Sequence, residues 1–597
     1  MRQIRAASYT LLGWVDALSS WFAEKGWRRL VLALFFSAAV CLFLVFCVNP
    51  SNTDDDWSIS LYLSGRIPGE GLCLFVNAAL SQLIYALNAL LPSANWFFVV
   101  EHLSSFLAFA VLVYGALTYM RPASGMILVG LVCVFVMPYC IASSNYTYVS
   151  ALATSAGGCL LVGAVREGRC CILEAVAAVG MLALGMCWRF EMFLPCSAFV
   201  CLAWGWTLLF ERDWKSRGLF QAAVIVPALV ALLVCGGLRA YDRATWQQDG
   251  WRQWDEYNAP RQKTSDYELL GYDEAKEALD AIGLSENDYW LIQNWGNADS
   301  DVFNAQVLTK VAELRVPPFG GGTSLASVFA SYVSMCAHRW RFFLPLILAL
   351  AFARPTRRRT WIPLSLELIV AFSACLYFLA VGRLLPRVED PIWLLALSMG
   401  LVLAGRGRSA VGENDGVASH GGLSAARRVA SVLPPVLLLC CLVSMIMRWA
   451  PSFSVGGFER SFQQASYVAA GPFSTYVESH PGDHYVIESG VMSLFDMEYE
   501  HRYLPAEELE SRTMSLGGWG SGSPFRRAQC AAVGATNPYQ ALLTGSSTYL
   551  IAREAMASRV LEFLRQHYDA TATCSQVDSL ELEGETIPVW QLAGHSG

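Results

Sequence analysis

Residues 52–64 read NTDDDWSISLYLS, and the adjacent carboxylates Asp54, Asp55 and Asp56 follow directly on the first long apolar run of the chain. Like charges so close together at a membrane edge repel one another and resist desolvation, so water, a cation or a cationic ligand must offset them. The same triplet also reads as a hydrated acidic loop. Other groups with chemical potential stand beside apolar runs: Arg383 and Arg387 in VGRLLPRVEDP, Arg189 and Glu191 in WRFEMF, and Glu101 with His102 early in a later run. Arg189 and Glu191 can pair with each other across a short hairpin, or the arginine can meet a lipid phosphate. Glu101 and His102 are candidates to assist a base or a divalent cation, the one cofactor the sequence suggests; a histidine at the end of a span also reads as a hydrogen-bonded interface residue.

The elements that position these groups are mostly membrane helices. Of 597 residues, 55% are hydrophobic and 15% charged, and apolar runs of about 20 residues, the length that crosses a hydrocarbon core of about 30 Å, recur along the chain. The expected spans are 30–48, 96–119, 124–142, 147–165, 171–188, 192–210, 219–238, 341–353, 361–381, 391–404 and 429–448, about eleven in all. The short 341–353 run allows its span to begin within 324–337. Most of the 18 cysteines fall inside these runs, where they act as small apolar side chains, and no CxxC pair with metal spacing occurs. A net charge of −7 argues against a nucleic-acid partner.

Orientation follows from the basic residues. Arg2, Arg5, Lys25, Arg28 and Arg29 precede the first span and keep the N terminus in the cytoplasm, as for a retained signal anchor. The triplet then emerges outside. Residues 70–91 carry Asn77, Gln82 and Asn88 on one side and leucines on the other, so 58–64 and 71–91 are read as two surface helices lying in the interface. With this threading the short external loops hold Arg66, Arg189, Arg383 and Arg387, while the 354–359 cluster stays inside. Residues 1–448 form the membrane domain, with a first external loop at 49–95 and a large one at 239–338. Residues 449–597 form an external domain of α/β type, and 411–424 is a polar linker.

Within the large loop a helix at 273–282 closes at Gly283, and a second starts at the capping pattern Ser285-Glu286-Asn287-Asp288. Its aromatics, Trp246, Trp251, Trp254, Tyr257, Tyr267, Tyr289, Trp290 and Trp295, suit either core packing or contact with sugar faces. In the tail, strands are expected at 484–488 and 548–551, a helix at 553–568 and a hairpin at 580–592 turning at Gly584. GGWGSGSP at 517–524 reads as a flexible loop with one tryptophan. Cys530 and Cys574 are candidates for a disulfide in an oxidising compartment.

External carboxylates beside a first membrane helix, surface helices after them, many further spans and a terminal external domain together resemble the GT-C superfamily of membrane glycosyltransferases. The phrase DDWSISLYLSG, with ALNALLPSANWF downstream, is also similar to bacterial multi-pass proteins in which an acidic pair precedes an aromatic residue. The resemblance implies a mainly helical polytopic fold, a sugar donor linked to polyprenyl phosphate, and a first-loop carboxylate as catalytic base. Asp55 and Asp56 before Trp57 would be the acidic pair, with Asp54 an additional carboxylate. Such chemistry needs a carboxylate within reach of an acceptor hydroxyl and positive charge for the departing phosphate. Arg383 and Arg387, with Arg189, are the candidates for that charge; the first two also read as snorkelling interface residues.

The expected function is sugar transfer to a glycan or lipid acceptor on the outer face of a bacterial plasma membrane, by an attack with inversion that needs no covalent intermediate. A lipid or glycan transporter or flippase, or a non-catalytic envelope assembly protein, are the alternatives. A transporter would want polar residues deep in several spans, and these spans are mostly Leu, Val, Ala and Cys.

Overall fold

The computed structural model describes residues 25–48, 54–65, 71–167, 171–210, 218–317, 324–353, 358–405, 443, 472–495, 511–545, 547–582 and 584–594. Among them, six helices are long and apolar enough to cross a membrane: Gly26–Cys47, Trp96–Tyr119, Tyr146–Glu167, Phe190–Phe210, Ile225–Trp246 and Trp361–Ala380. The chain is a multi-pass membrane protein. Helix is the form these runs must take, because backbone N–H and C=O groups in hydrocarbon can be satisfied only within the segment.

Tyr146–Glu167 is the central helix, buried along its length up to Val165. Its run of Ser, Ala and Gly lets neighbouring backbones approach closely. Pro386–Ala404 lies against it and is buried from Glu389 onward, with Ser155 Oγ donating to Ser398 Oγ at 2.8 Å. The expected span at 124–142 divides into Pro122–Phe135 and Met137–Ile141, breaking at Val136 just before Pro138, whose ring cannot continue the hydrogen-bond ladder. The expected spans at 171–188 and 341–353 are helices Ile172–Trp188 and Trp340–Ala353. The one expected at 429–448 lies outside the described residues apart from Val443, as does the 411–424 linker.

The two surface helices differ in their bounds from the sequence reading. The first begins on the acidic triplet itself, Asp54–Tyr62, so the carboxylates lie on a helix and not in a loop before one. The second is Ala78–Leu90, capped by Asn77, whose side chain accepts from the Ala79 amide. Asp242, on the polar extension of Gly218–Trp246, also accepts from the Ala78 amide at 2.9 Å. Asn88 faces inward and donates to the Leu63 carbonyl at 2.6 Å, while Leu83 and Leu90 are exposed. Leu80 and Ile84 are buried as well and Gln82 is exposed, so the polar and apolar sides read from the sequence do not divide into an inner and an outer face.

The tail forms a five-stranded sheet of order β2-β1-β3-β5-β4, with β1 His484–Ile487, β2 Thr513–Ser515, β3 Thr548–Ile551, β4 Thr573–Leu582 and β5 Glu585–Ala593. β1 pairs in parallel with β2 and β3, and β5 runs antiparallel to β3 and β4. The hairpin turns at Gly584, φ 84°, and the main helix is Glu554–His567. The loop packs on this sheet in a common core: Tyr257, Leu279, Leu291 and Phe303 join Val486, Leu516, Tyr539, Leu550 and Phe563. The Phe303 and Phe563 rings stack at 5.4 Å. Both the Ser285 capping box and the left-handed Gly283 occur as the sequence implies.

The Cys530–Cys574 bond does not form; both thiols are free. Cys530 touches Met514 of edge strand β2 at 3.6 Å between sulfurs, whereas Cys574 lies on β4 at the opposite edge. Strands stand about 4.8 Å apart, so four spacings separate the two edges by much more than the roughly 7 Å a disulfide tolerates between Cα atoms.

Candidate active site

An α-helix turns about 100° per residue, so neighbours on Asp54–Tyr62 face different surroundings. Asp56 is fully buried in the bundle. Asp55 instead lines a cavity of about 650 Å³ between the membrane helices and the α/β domain. The side chain of Asp54 is not among the described ones. Arg387, at the start of Pro386–Ala404, donates to Asp55 Oδ2 at 3.1 Å.

Arg189, Arg383 and Arg387 all line this cavity with Asp55. Arg383 is held by Asp266, with 3.0 Å contacts to its carbonyl and to Oδ2, and lies over the Tyr267 ring. Arg189 donates to Thr147 Oγ1 and packs over the rings of Tyr146 and Phe75. The helix ends Ile172–Trp188 and Phe190–Phe210 fix it there, and it turns inward to these partners while Glu191 is exposed away from the cavity.

Glu101 and His102 do not reach the cavity. Glu101 is fully buried, with neither carboxylate oxygen hydrogen-bonded. His102 Nε2 meets the Ile141 carbonyl at 3.0 Å and Ser144 Oγ at 3.2 Å. Among the described residues no group of three His, Cys, Asp or Glu side chains is arranged to hold a metal ion.

Four contributions to the cavity escaped the sequence reading. Arg261, on Trp251–Ser265, is 2% exposed; its Nε donates to Asn258 Oδ1 at 2.8 Å, and it lies over the Trp295 ring. Burial lowers its pKa from the ordinary arginine value. Arg526, at the start of Pro524–Ala532, donates to Gln529 Oε1 at 2.8 Å. Asp266 was one unremarkable acid among many.

The fourth is the glycine-rich segment, which is packed tightly and is not a loose loop. A Cβ on Gly517 would stand 1.8 Å from the Trp295 carbonyl oxygen, and one on Gly520 would stand 2.0 Å from Tyr62 Oη. Glycine here permits backbone to close on backbone. Trp295 has φ 60°, a conformation rare for a bulky residue and commonest where function imposes it. Trp519 lies 4.9 Å from Tyr62 between ring centroids, and Tyr62 stacks on Trp254 at 5.6 Å. Trp254 Nε1 donates to the Trp519 carbonyl at 2.9 Å. This aromatic cluster clamps the Asp55 helix to the domain above it.

One buried network holds Arg387 in place. Two residues after it, Glu389 and then Asp390 both pair with Arg339. Tyr332 donates to Glu389 Oε1 and Tyr148 to Asp390 Oδ2, each at 2.9 Å. The N-terminal turn of Pro386–Ala404 is thus tied to two other helices, Leu325–His338 and Tyr146–Glu167.

Two solved structures align with most of this chain at low identity. ArnT from Cupriavidus metallidurans, in the apo state, aligns over 94% of this chain and 97% of its own at 13% identity and a TM-score of 0.33. The archaeal oligosaccharyltransferase AglB from Archaeoglobus fulgidus, in complex with an inhibitory peptide and a dolichol-phosphate, aligns over 93% of this chain and 70% of its own at 13% identity and a TM-score of 0.39. No family model matches the chain, and no curated protein does. Likeness at this level says nothing about activity or substrate.

Proposed function

We propose that the protein transfers a sugar from a polyprenyl-phosphate-linked donor to a hydroxyl of a cell-surface glycan or lipid, on the external face of a bacterial plasma membrane. The observation that carries this reading is the meeting of Asp55 and Arg387, 3.1 Å apart, in one cavity where membrane helices end. A carboxylate there can accept the proton of an attacking hydroxyl. Arginines beside it can stabilise the phosphate that leaves.

In the proposed step the acceptor oxygen attacks the anomeric carbon, its proton passes to Asp55, and the bond from carbon to phosphate oxygen breaks. The electron pair leaves on the lipid phosphate, between Arg387, Arg383 and Arg189. The anomeric centre inverts, and no residue is covalently modified. Asp55 is the base in preference to Asp56, which is enclosed in the bundle. The rings of Trp295 and Trp519 on the cavity wall offer flat faces for a sugar.

The test is removal of the gene followed by complementation. A lipid-linked or surface glycan should disappear, return with the wild-type chain, and fail to return with Asp55→Asn present at normal abundance. Full restoration by Asp55→Asn would refute the assignment of the base; an unchanged set of glycans and lipids after deletion would refute glycosyl transfer.

A further inference from the structure

Helix Glu286–Gln293 ends with a tryptophan where the local rules call for glycine. Asn294 caps it, Trp295 follows at φ 60°, and the Gly296 amide donates back to the Leu291 carbonyl at 2.7 Å. In this left-handed helix ending glycine ordinarily takes the position of Trp295, because a Cβ there crowds the backbone carbonyl. Glycine stands one place later instead, where a Cβ would lie 2.8 Å from Leu291 Cδ2. Packing does not account for the tryptophan. Among the described residues Trp295 joins none of the hydrophobic cores and no aromatic ring pairs with it; the contact its ring makes is with the Arg261 guanidinium, 5.4 Å from the centroid. The half-buried indole lines the cavity, which Gln262 and Ser489 line as well, and Ser489 Oγ donates to the Trp295 carbonyl at 3.4 Å. Trp519, also on the wall, is by contrast held against Tyr62 at 4.9 Å and Phe75 at 5.1 Å between ring centroids.

We infer that Trp295 is the specificity-determining platform of the site: its indole stacks on the C–H face of a pyranose ring, and the strained backbone is kept because it holds the indole in the cavity. The inference rests on the glycosyl-transfer reading and deepens it by dividing the roles of the tryptophans, Trp519 bracing the Asp55 helix and Trp295 meeting the substrate. Strain of this kind persists where the surroundings fix it. Here the close approach of Gly517 and the Ser489 hydroxyl pin the Trp295 carbonyl. Arg261 covers one face of the indole and steadies it by cation–π attraction. The other face is flat, apolar and wide enough for a pyranose, whose axial C–H bonds it meets while the hydroxyls are left at the rim for Gln262 and Ser489. An acyclic polyol presents no such face. No bond is made or broken at Trp295; its part is to select and orient.

The test uses the purified full-length protein in nanodiscs, with methyl β-D-glucopyranoside as the ring probe and sorbitol as the acyclic control. In saturation-transfer NMR titrations the ring C–H protons of the glucoside should receive magnetisation from the wild-type protein, and sorbitol should not. Trp295→Gly should weaken glucoside binding about tenfold or more, and Trp295→Phe should restore part of it. The unfolding midpoint of Trp295→Gly should equal or exceed that of the wild type, because glycine relieves the strained position, whereas Trp519→Leu should lower it. In membranes, the KM that rises in Trp295→Gly, for the donor or for the acceptor, tells whose sugar stacks there. Absence of glucoside binding by the wild type, equal binding of sorbitol, undiminished binding by Trp295→Gly, or a lowered midpoint in that variant would each overturn the inference. None of these outcomes touches glycosyl transfer itself, which gene deletion and Asp55→Asn test separately.

Discussion

Arg387 Nη1 donates to Asp55 Oδ2 at 3.1 Å across 332 residues of chain, so the proposed base and the proposed phosphate ligand hold each other. The pairing couples their roles. An arriving phosphate competes with Asp55 for the guanidinium, and its capture frees the carboxylate to accept a proton from the acceptor. Binding of the donor should therefore precede productive binding of the acceptor.

That coupling predicts a distinction between charge and geometry at position 387. Arg387→Lys keeps the charge but loses the planar fork, so donor KM should rise while residual turnover persists. Arg387→Ala should lower kcat/KM by roughly tenfold to a hundredfold, the scale of a charge-assisted contact. Steady-state transfer rates in membranes at varied donor concentration would show the split, and an unchanged KM in both variants would dismiss the contact.

Asp55 and its buried neighbours should behave oppositely. Asp55→Asn should cost on the order of a hundredfold to ten-thousandfold in rate, as loss of a general base does. Glu101, buried without a hydrogen bond, should tolerate Glu101→Gln with little change in rate and no loss of thermal stability, because an unpartnered buried carboxylate is a cost to the fold. A rate loss in Glu101→Gln as large as that of Asp55→Asn would move the base into the bundle.

At the seam, Gly517→Ala would press a methyl group onto the Trp295 carbonyl, which cannot swing aside as a side-chain end can. Overpacking of this kind typically costs about 1–3 kcal/mol. Thermal unfolding of the purified variant should show a lowered midpoint, and glycosyl transfer should fall with it because Trp295 lines the cavity. Gly534→Ala, where no atom lies within 4 Å but φ is 74°, serves as a strained control remote from the site: it should lower stability without a separate effect on transfer.

The joint between loop and tail should respond to pH. His567 Nε2 lies 2.9 Å from Asp288 Oδ1, and this bond to Asp288 raises the imidazole pKa above its ordinary value, about 6.5. A raised folded-state pKa means the contact contributes fully below the unfolded value and is lost as pH climbs through the folded one. Unfolding midpoints should accordingly fall as pH rises above about 6.5, and His567→Gln should flatten that part of the profile. An identical slope in the variant would assign the dependence elsewhere.

The sequence by itself determined what depends on neighbours along the chain. Apolar length dictates Trp96–Tyr119 and Tyr146–Glu167 as helices, because an unsatisfied backbone is too costly in lipid. Alternation and turn residues give β3 and the hairpin at Gly584; the Ser285 cap needs only the next three residues. The grouping of Asp55 with Arg189, Arg383 and Arg387 was legible too, since each adjoins the end of an apolar run and such ends share a surface.

Only the tertiary structure decided which carboxylate of the triplet faces the cavity. Helical phase sets that choice, and the phase is fixed by Tyr62 packing on Trp254 and Trp519, residues from distant parts of the chain. Arg261 and Arg526 carried no local mark: each sits among other basic residues, and only the closure of loop and tail around one core brings them to the same wall. The glycine-rich segment misled for the same reason. In isolation glycine signals freedom of the backbone; in the fold, the missing side chain lets Trp295 and Tyr62 come close enough to lock it.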